Sequence, residues 1–322
     1  MLALRPPMLE DVDAITAALQ DPDAARWLSS LPQPYRREDA VEFVLHLAGP
    51  EDRAITVNGR FVGMIRVGGD LGYWIAPGYR RRGIASRAVC MALHQGFAAG
   101  AQTVTACYFN DNHASAAVLR RAGFRPDGTR METRRADGAR LEQQVMRITR
   151  EAFLLALEIR TPRCRIGMMR DADLGALHDI VTRPEIARML MRFHPGQSLS
   201  DLRCLLRPET DPLRRPMRLA VRFEGRCIGS IGLDKGAVPP IFYFLSPEMA
   251  GQGIATEIVP AFCDAVQEWF GLARLGAEVF ADNPASRRVL EKSGFQVTRD
   301  DLFLSAGRRA PGAGWVMERG GV

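Results

Sequence analysis

The loop Arg80–Ala85 carries the residue types of a phosphate-binding turn. It lies between a predicted strand and a predicted helix and fits the pattern Gln/Arg-x-x-Gly-x-Gly/Ala. Small residues at its fourth and sixth positions let main-chain N–H groups approach a ligand, while the helix dipole and the arginines attract anions. The alternative is an ordinary glycine turn beside a solvated arginine run. The predicted anion-binding residues are Arg80, Arg81, Arg82, Gly83, Ile84 and Ala85.

Two polar residues, Asn112 and Ser115, follow the next predicted strand. Both lie at the start of a predicted helix, where either side chain can cap the backbone. This helix ends at Gly123, a residue type favoured just beyond a helix because it adopts positive φ. A capping role and a ligand-binding role are compatible for both residues.

The elements that position these residues follow a mixed α/β order. Hydrophobic periodicity and turn signals such as Asn58-Gly59 predict an antiparallel meander, followed by alternating strands and helices. The predicted elements, in chain order, are strand 3–5, helices 11–19 and 38–47, strands 54–57, 61–65 and 71–75, helix 86–98, strand 104–109, helix 112–123, and strands 129–133 and 144–148.

The same motifs return in the same order in the second half of the chain, at offsets of 170 or 171 residues. One chance match would mean little, but a series of matches in order indicates a duplicated domain. The segment 151–162 joins the copies and has an apolar centre, which predicts a short packed linker helix. The matching motifs are 73–77 with 243–247, 83–85 with 253–255, 112–115 with 283–286, and 123–124 with 294–295.

The second loop departs from the first. Ala250 stands where Arg80 stands in the first copy, and Pro240 replaces Asp70. A cradle of main-chain donors survives such changes, but the arginine charge is lost. The predicted anion-binding residues of this copy are Gly251, Gln252, Gly253, Ile254, Ala255 and Asn283.

The composition is that of an ordinary globular protein, with a net charge of +6 and 47% hydrophobic residues. The basic excess is spread over both halves without a polybasic tail, which suits a small anionic ligand and argues against nucleic acid. The six cysteines form no C-x-x-C pair and no histidine cluster accompanies them, so we expect neither disulfides nor a metal site. No apolar run predicts a membrane span or a signal peptide, and we expect a cytoplasmic protein.

Taken with these motifs, the run Asp70–Ile75 (DLGYWI) before the first loop resembles the GNAT superfamily of N-acetyltransferases, in particular its RimJ/RimL-like branch. The resemblance implies two tandem GNAT-type domains of mixed α/β class. Each would have a central sheet with an antiparallel N-terminal meander, splayed parallel strands and flanking helices. The expected boundaries are 1–150 for a catalytic N-terminal domain, 151–162 for the linker helix and 163–322 for a domain with a degenerate motif.

The resemblance also implies acetyl-CoA as cosubstrate, no metal, and site residues in the first copy. A backbone N–H group from the segment Trp74 to Ala76 would stabilise the oxyanion, and Asn112 would lie near the pantetheine arm. Ser115 would protonate the departing thiolate. Asp70 is the candidate general base, with a solvated loop aspartate as the alternative. In the second copy Glu278 is the one well-placed acid, and an exposed strand glutamate is favoured there.

Two functions stay open at this stage. The first is acetyl transfer to a primary amine of a protein N-terminus or a small molecule, for which the basic surface favours acidic or neutral acceptors. The second is an acetyl-CoA-binding sensor or scaffold with one or both copies inactive. A Rossmann-type nucleotide site is excluded because the loop lacks G-x-G-x-x-G. We expect a pseudo-dimeric monomer or a homodimer.

Overall fold

The computed structural model describes residues 1–68 and 70–320, and internal contacts divide the chain into two compact units, Met1–Ala156 and Leu157–Val322. Each unit is built around one mixed sheet. The mixed α/β class expected for both halves is confirmed.

The sheet of the N-terminal unit has seven strands in the order β1-β2-β3-β4-β5-β7-β6. All neighbours are antiparallel except β4 and β5, which run parallel. The strands are β1 (Leu2–Arg5), β2 (Asp52–Val57), β3 (Arg60–Arg66), β4 (Asp70–Ile75), β5 (Thr103–Phe109), β6 (Arg125–Thr133) and β7 (Arg140–Thr149).

The β2–β3 hairpin turns at Asn58 and Gly59, as the sequence predicts. Both residues have positive φ, 50° and 78°, which is the backbone conformation that a two-residue type I′ turn requires. Asparagine tolerates this region and glycine prefers it, so the local sequence sets the register of the meander.

The helices of the N-terminal unit cover its sheet. Buried residues of α1 pack with Tyr35, Phe61 and Met64 in one core cluster, and α4 contacts β1, β3 and β4. The helices are α1 (Val12–Leu19), α2 (Pro22–Ala25), α3 (Arg37–Glu42), α4 (Ile84–Ala98), α5 (His113–Ala122) and α6 (Arg150–Ala156).

The linker prediction holds only over its first half. The helix α6 ends at Ala156, and β8 (Glu158–Arg160) follows at once and pairs antiparallel with β9 (Cys164–Met168). Ile159 is buried between two exposed charged residues, which is the alternation of a strand that covers a core with one face. The strand β8 therefore belongs to the C-terminal sheet, and the second unit begins at Leu157.

The C-terminal sheet has eight strands in the order β14-β15-β13-β12-β11-β10-β9-β8, with β12 and β13 as its one parallel pair. The edge strand β8 is its addition to the pattern of the first unit. The remaining strands are β10 (Met217–Phe223), β11 (Arg226–Leu233), β12 (Pro240–Leu245), β13 (Arg274–Phe280), β14 (Gln296–Phe303) and β15 (Gly312–Gly320).

The helices of the C-terminal unit repeat those of the first. Its core cluster joins α7 and α9 to Phe193 and Phe244, and α10 contacts β8, β9, β11 and β13. The helices are α7 (Leu174–Val181), α8 (Pro184–Ala187), α9 (Leu199–Leu206), α10 (Ile254–Phe270) and α11 (Pro284–Lys292). Within the described part of the chain, no helix is long and apolar enough to cross a membrane.

Candidate functional site

In both units the two central parallel strands separate after a short paired start. The pairing lasts for two residues of each strand, although the strands themselves are six and seven residues long. Beyond that point the two strands no longer pair with each other, and a cleft opens between them. The paired residues are Asp70 with Thr105, Leu71 with Ala106, Pro240 with Gly276, and Ile241 with Ala277.

One strand of each cleft presents a main-chain donor. The N–H of Ala76 donates to Val62 O at 2.9 Å, so it faces the neighbouring antiparallel strand. Antiparallel strands alternate the direction of their N–H groups, and the N–H of Ile75 therefore points to the cleft. In the second unit the N–H of Ser246 donates to Ile228 O at 2.7 Å, and Leu245 takes the position of Ile75. Of the segment 74–76 expected to hold the oxyanion, Ile75 is the residue with a suitably directed donor.

The Trp74 side chain does not enter this cleft. It packs on the core cluster of α1, with its ring centroid 5.8 Å from that of Phe61. A ligand role for Trp74 would thus have to use its main chain, which faces β3.

The first loop has the backbone geometry of an anion cradle. Arg81 and Gly83 have positive φ, 61° and 73°, and Gly83 precedes the first turn of α4. The Ile84 side chain is buried in the core, so this residue offers only its N–H group. Arg80 donates from Nε to Ile75 O at 3.2 Å and joins the loop to the end of β4. The Arg82 guanidinium lies 5.6 Å from the Tyr79 ring centroid.

The second loop has the same backbone with different side chains. Gly251 and Gly253 both have φ of 74°, at the positions of Arg81 and Gly83. Arg163 donates from Nη1 to Gln252 O at 2.9 Å and from Nε to Glu257 at 2.7 Å. A cation from the distant β8–β9 turn therefore braces this loop, which itself lacks arginine. The Ile254 side chain is buried, as is that of Ile84.

The main-chain N–H groups of residues 81–86 and 251–256 donate to no group within the described residues. Six consecutive donors at a helix N-terminus require either water or an anionic ligand. Positive φ at the glycines holds them in one arc, a conformation that a residue with a Cβ reaches only with strain. Both loops therefore fit an anionic ligand such as a phosphate group.

Asn112 caps α5, because its Oδ1 accepts from the N–H of Ser115 at 3.0 Å. The Ser115 hydroxyl lies 3.0 Å from the hydroxyl of Tyr73, which reaches it from β4. Burial raises the pKa of Tyr73 to about 12. The capping interpretation of Asn112 is thereby confirmed, and the side chain of Ser115 is directed at the cleft strand rather than at the helix backbone.

The second unit has the same asparagine cap and the same contact between a tyrosine and a serine hydroxyl. Asn283 Oδ1 accepts from the N–H of Ser286 at 3.1 Å, and the hydroxyls of Tyr243 and Ser286 lie 2.8 Å apart. Burial raises the pKa of Tyr243 to about 12. The sequence analysis missed this tyrosine–serine pair, although both residues recur at matching positions in the two copies.

Asp70 is fully engaged by its neighbours. Arg130 Nη1 donates to one carboxylate oxygen at 2.7 Å, and the Thr105 hydroxyl donates to the other. These hydrogen bonds, first that of Thr105 and then that of Arg130, lower the pKa of Asp70. A lowered pKa and two occupied oxygens disfavour this residue as a proton acceptor.

The C-terminal unit contains a cavity of about 780 Å³ that follows its cleft. Its lining includes the loop residues Gly251, Gly253, Ile254 and Ala255, together with Tyr243, Asn283 and Ser286. Glu278, Arg218, Phe193, Phe242 and Phe244 line it as well. The predicted anion-binding residues of this unit other than Gln252 thus line one continuous space with the acid on β13.

Glu278 is an exposed residue of β13, as the alternative interpretation expected, and it also lines the cavity. Its carboxylate is open to the cavity, but the surrounding protein desolvates it, and Asp301 and Asp234 add negative charge. Desolvation first, and then these charges, raise the pKa of Glu278, and Arg299 opposes them. The sequence carries the acid itself but not these surroundings, because Asp234 and Asp301 are distant along the chain.

No group of three or more His, Cys, Asp and Glu side chains is placed to hold a metal ion in residues 1–68 and 70–320.

The model of the acetyltransferase (GNAT) domain matches residues 1–125 and 163–296. An uncharacterized N-acetyltransferase of Bacillus subtilis, YoaA, is 40% identical over 73 residues, which are 21% of this chain and 41% of that protein. RimJ of Mycobacterium smegmatis, solved in complex with CoA-disulfide, is 20% identical, covering 51% of this chain and 86% of its own, with a TM-score of 0.44. Spermidine N-acetyltransferase of Vibrio cholerae, solved with CoA and spermine, is 18% identical, covering 48% and 94%, with a TM-score of 0.43.

The segment shared with the curated relative is less than half of that protein's length. The domain model, in contrast, matches the first unit from β1 through α5 and the second unit from β9 through α11. The chain therefore belongs to the acetyltransferase (GNAT) family, with one domain of that family in each half.

Proposed function

We propose that the protein is an acetyl-CoA-dependent N-acetyltransferase whose chemistry takes place in the C-terminal unit. The observation that carries this proposal is the cavity that joins the glycine loop to Glu278, a carboxylate with a raised pKa. The acceptor is a primary amine, of a protein N-terminus or of a small molecule. This assignment reverses the order expected from the motifs, in which the N-terminal copy with its intact loop and Asp70 is the catalytic one.

The glycine loops are the proposed binding sites for the pyrophosphate of acetyl-CoA, which supplies the acetyl group as a thioester. Main-chain N–H groups of residues 251–256 would bind the phosphate oxygens. The N–H of Leu245 is the donor directed at the cleft, and we assign it to the carbonyl oxygen on which negative charge develops. In the N-terminal unit the same parts are residues 81–86 and Ile75, with Asn112 beside the pantetheine arm.

Glu278 is the proposed general base. An α-amine has a pKa of ~8 and attacks only as the neutral form, so a nearby carboxylate must accept its proton. As the N–C bond forms and the C–S bond breaks, the amine proton passes to Glu278, directly or through water. The sulfur leaves as a thiolate and takes a proton from the Ser286–Tyr243 hydroxyl pair, which regains a proton from water while Glu278 releases to water the proton that it accepted. This pair is the counterpart of Ser115 with Tyr73.

A second function is favoured for the N-terminal unit by the state of Asp70. Its two hydrogen-bonded oxygens leave it poorly suited to proton transfer, whereas the loop Arg80–Ala85 retains its donors and its charge. We infer that this unit binds acetyl-CoA without turnover, as a sensor or scaffold. A calorimetric titration with CoA is expected to find two sites per chain.

Matched substitutions test the assignment of the base. Glu278→Gln keeps the size of the side chain and removes the basic carboxylate, so kcat should fall by about 10²–10⁴-fold. Asp70→Asn is the control and should leave kcat within about twofold, because it changes only the N-terminal unit. Turnover would be measured as thiol release with a panel of amines and peptides. Loss of turnover in Asp70→Asn with normal turnover in Glu278→Gln would return the chemistry to the N-terminal unit.

A further inference from the structure

The lining of the C-terminal cavity includes two arginines that share one buried carboxylate. Glu209 is 2% exposed and accepts from Arg218 Nε at 2.7 Å on one oxygen and from Arg192 on the other. Both arginines line the cavity. The three side chains together carry one excess positive charge.

Arg218 is buried, with 3% of its surface exposed, and is held in place on several sides. Its Nη1 donates to Ser230 at 2.7 Å, and its guanidinium lies 4.3 Å from the ring centroid of Phe242. Phe193 and Phe244 are within 5.8 Å on other sides. Burial lowers the pKa of Arg218, and the negative charges of Glu209 and Asp234 oppose that shift.

One nitrogen of this guanidinium, Nη2, donates to no group within the described residues. Two side-chain polar atoms of the described residues are both buried and without a hydrogen-bond partner, namely Gln197 Oε1 and Arg319 Nη1. Arg218 Nη2 is not one of them, so this unpaired nitrogen is not fully shielded from solvent. A cationic N–H in an apolar surrounding is costly to leave unpaired, so a ligand that accepts from it gains more there than it would in water.

Arg218 and the proposed base lie in one row across the sheet. Arg218 pairs with Gly232, and Gly232 pairs with Phe242, so these three residues lie on the same face. Glu278 stands beside Phe242 on the next strand, one residue beyond the last recorded pair. The Phe242 ring lies over Gly232, where a Cβ would come within 2.2 Å of it. A cation, an aromatic ring and a carboxylate from this row therefore line the same cavity.

We infer that the acceptor of the C-terminal unit is an amino-carboxylate, a small molecule with a primary amine near Glu278 and a carboxylate bound by Arg218. Its side chain is apolar, because Met189, Met191 and Phe193 line the same cavity as these two charged residues. This inference rests on the proposed acetyl transfer and names its substrate class. A free amino acid with an aromatic or thioether side chain has this arrangement of groups.

The corresponding row of the N-terminal unit has different chemistry. Asp52 pairs with Arg66, and Arg66 pairs with Gly72. A Cβ added to Gly72 would have no atom within 4 Å. Cys107 takes the position of Glu278. In this row the positions of Arg218, Phe242 and Glu278 are therefore taken by an acid, a glycine and a thiol, which do not reproduce the cation, the aromatic ring and the carboxylate of the C-terminal unit.

The test compares acceptors that differ only in the carboxylate, using the full chain. Phenylalanine is paired with phenethylamine, and methionine with 3-(methylthio)propylamine, and kcat/KM is measured by thiol release. A charge-assisted hydrogen bond should favour each amino acid by about 10–100-fold. Arg218→Met should bring both ratios close to one. Equal kcat/KM for the two members of each pair in the unchanged protein would overturn the inference and leave the acetyl transfer standing.

Arg222→Met is the matched control. Arg222 lies on the same strand and is paired with buried Asp173, but it does not line the cavity. It should lower stability without altering the preference for the carboxylate. If Arg218→Met fails to fold, Arg218→Lys keeps the charge and loses the planar guanidinium, and the ratio should then fall by a smaller factor.

A binding measurement separates failure of this inference from failure of the proposed function. With CoA present, N-acetylphenylalanine should raise the melting temperature more than N-phenethylacetamide, and Arg218→Met should remove the difference. If no amine releases thiol, the proposed function fails, and the carboxylate site stands only if this difference is seen. Equal stabilisation by the two compounds would overturn the site itself.

Discussion

The two units share a backbone and differ in the residues that face their clefts. Both have splayed parallel strands, a loop with positive φ at its second and fourth positions, and a tyrosine–serine pair across the cleft. The first unit has its acid at the start of β4, bonded to Arg130 and Thr105. The second has its acid on β13, open to the cavity.

This difference teaches that a complete loop motif and a usable base are separate properties. The N-terminal loop fits its family pattern more closely, but its carboxylate is held as a structural ion pair. The C-terminal loop has lost its arginine and is braced by Arg163 instead. The environment of an acid, rather than its presence near a motif, decides whether it can accept a proton.

The largest expected effect concerns the shared core. Phe124 and Phe295 occupy matching positions after α5 and α11 and are 1% and 2% exposed. Alanine at either position should lower the free energy of unfolding of its own unit by about 3–5 kcal/mol. Urea denaturation with hydrogen exchange resolved by mass spectrometry would assign each loss. Leu304→Ala, at a residue 75% exposed, is the control, and a loss below that control at either phenylalanine would contradict the shared packing.

The tyrosine–serine pair should contribute equally to the stability of the two units, but it should contribute to turnover only in the C-terminal unit. Tyr73→Phe and Tyr243→Phe each remove one hydroxyl and should cost about 0.5–1.5 kcal/mol of stability. Only Tyr243→Phe should slow thiol release, by about tenfold or more, because only its serine protonates the thiolate. Similar turnover in both variants would remove the pair from the proposed mechanism.

The pH dependence of kcat/KM should report the raised pKa of Glu278. The base acts as a carboxylate, so activity should be lost as the pH falls through that pKa, which lies above the ordinary glutamate value of 4.5. Asp301→Asn should move this acidic limb to lower pH, because the charge of Asp301 raises the pKa of Glu278 and also pairs with Arg299, which lowers it.

Asp137→Asn, an exposed change in the N-terminal unit, should leave the acidic limb in place. A limb that lies below the ordinary glutamate pKa, or that Asp301→Asn moves to higher pH, would point to a different base.

The smallest expected effect lies in the two loops. Arg81 and Gly251 share a left-handed conformation, which costs a residue with a Cβ about 1–2 kcal/mol. Arg81→Gly should relieve this strain but increase the entropy of the unfolded chain, for a net gain of up to about 1 kcal/mol. Gly251→Arg should lose a similar amount. Urea midpoints of the two variants would be compared, and a destabilised Arg81→Gly would mean that the arginine contacts outweigh the strain.

Local sequence alone determined the repeat, the strand and helix order, both glycine loops and the capping asparagines. Each of these depends on residues a few positions apart, such as Asn58 with Gly59 or Asn112 with Ser115. Their backbone preferences act within one turn or one hairpin. The linker shows the limit of such patterns, because Ile159 forms a strand only where a neighbouring strand is available to pair with it.

The tertiary structure decided which acid can work and what the cleft can hold. Arg130 binds Asp70 although the two are 60 residues apart in the chain. Asp234 lies before Glu278 in the sequence and Asp301 lies after it, yet both act on its carboxylate. Arg218 faces the cavity because Glu209, Ser230 and Phe242 meet it there. Electrostatic energies depend on distance and burial in space, and neither quantity is encoded by spacing along the chain.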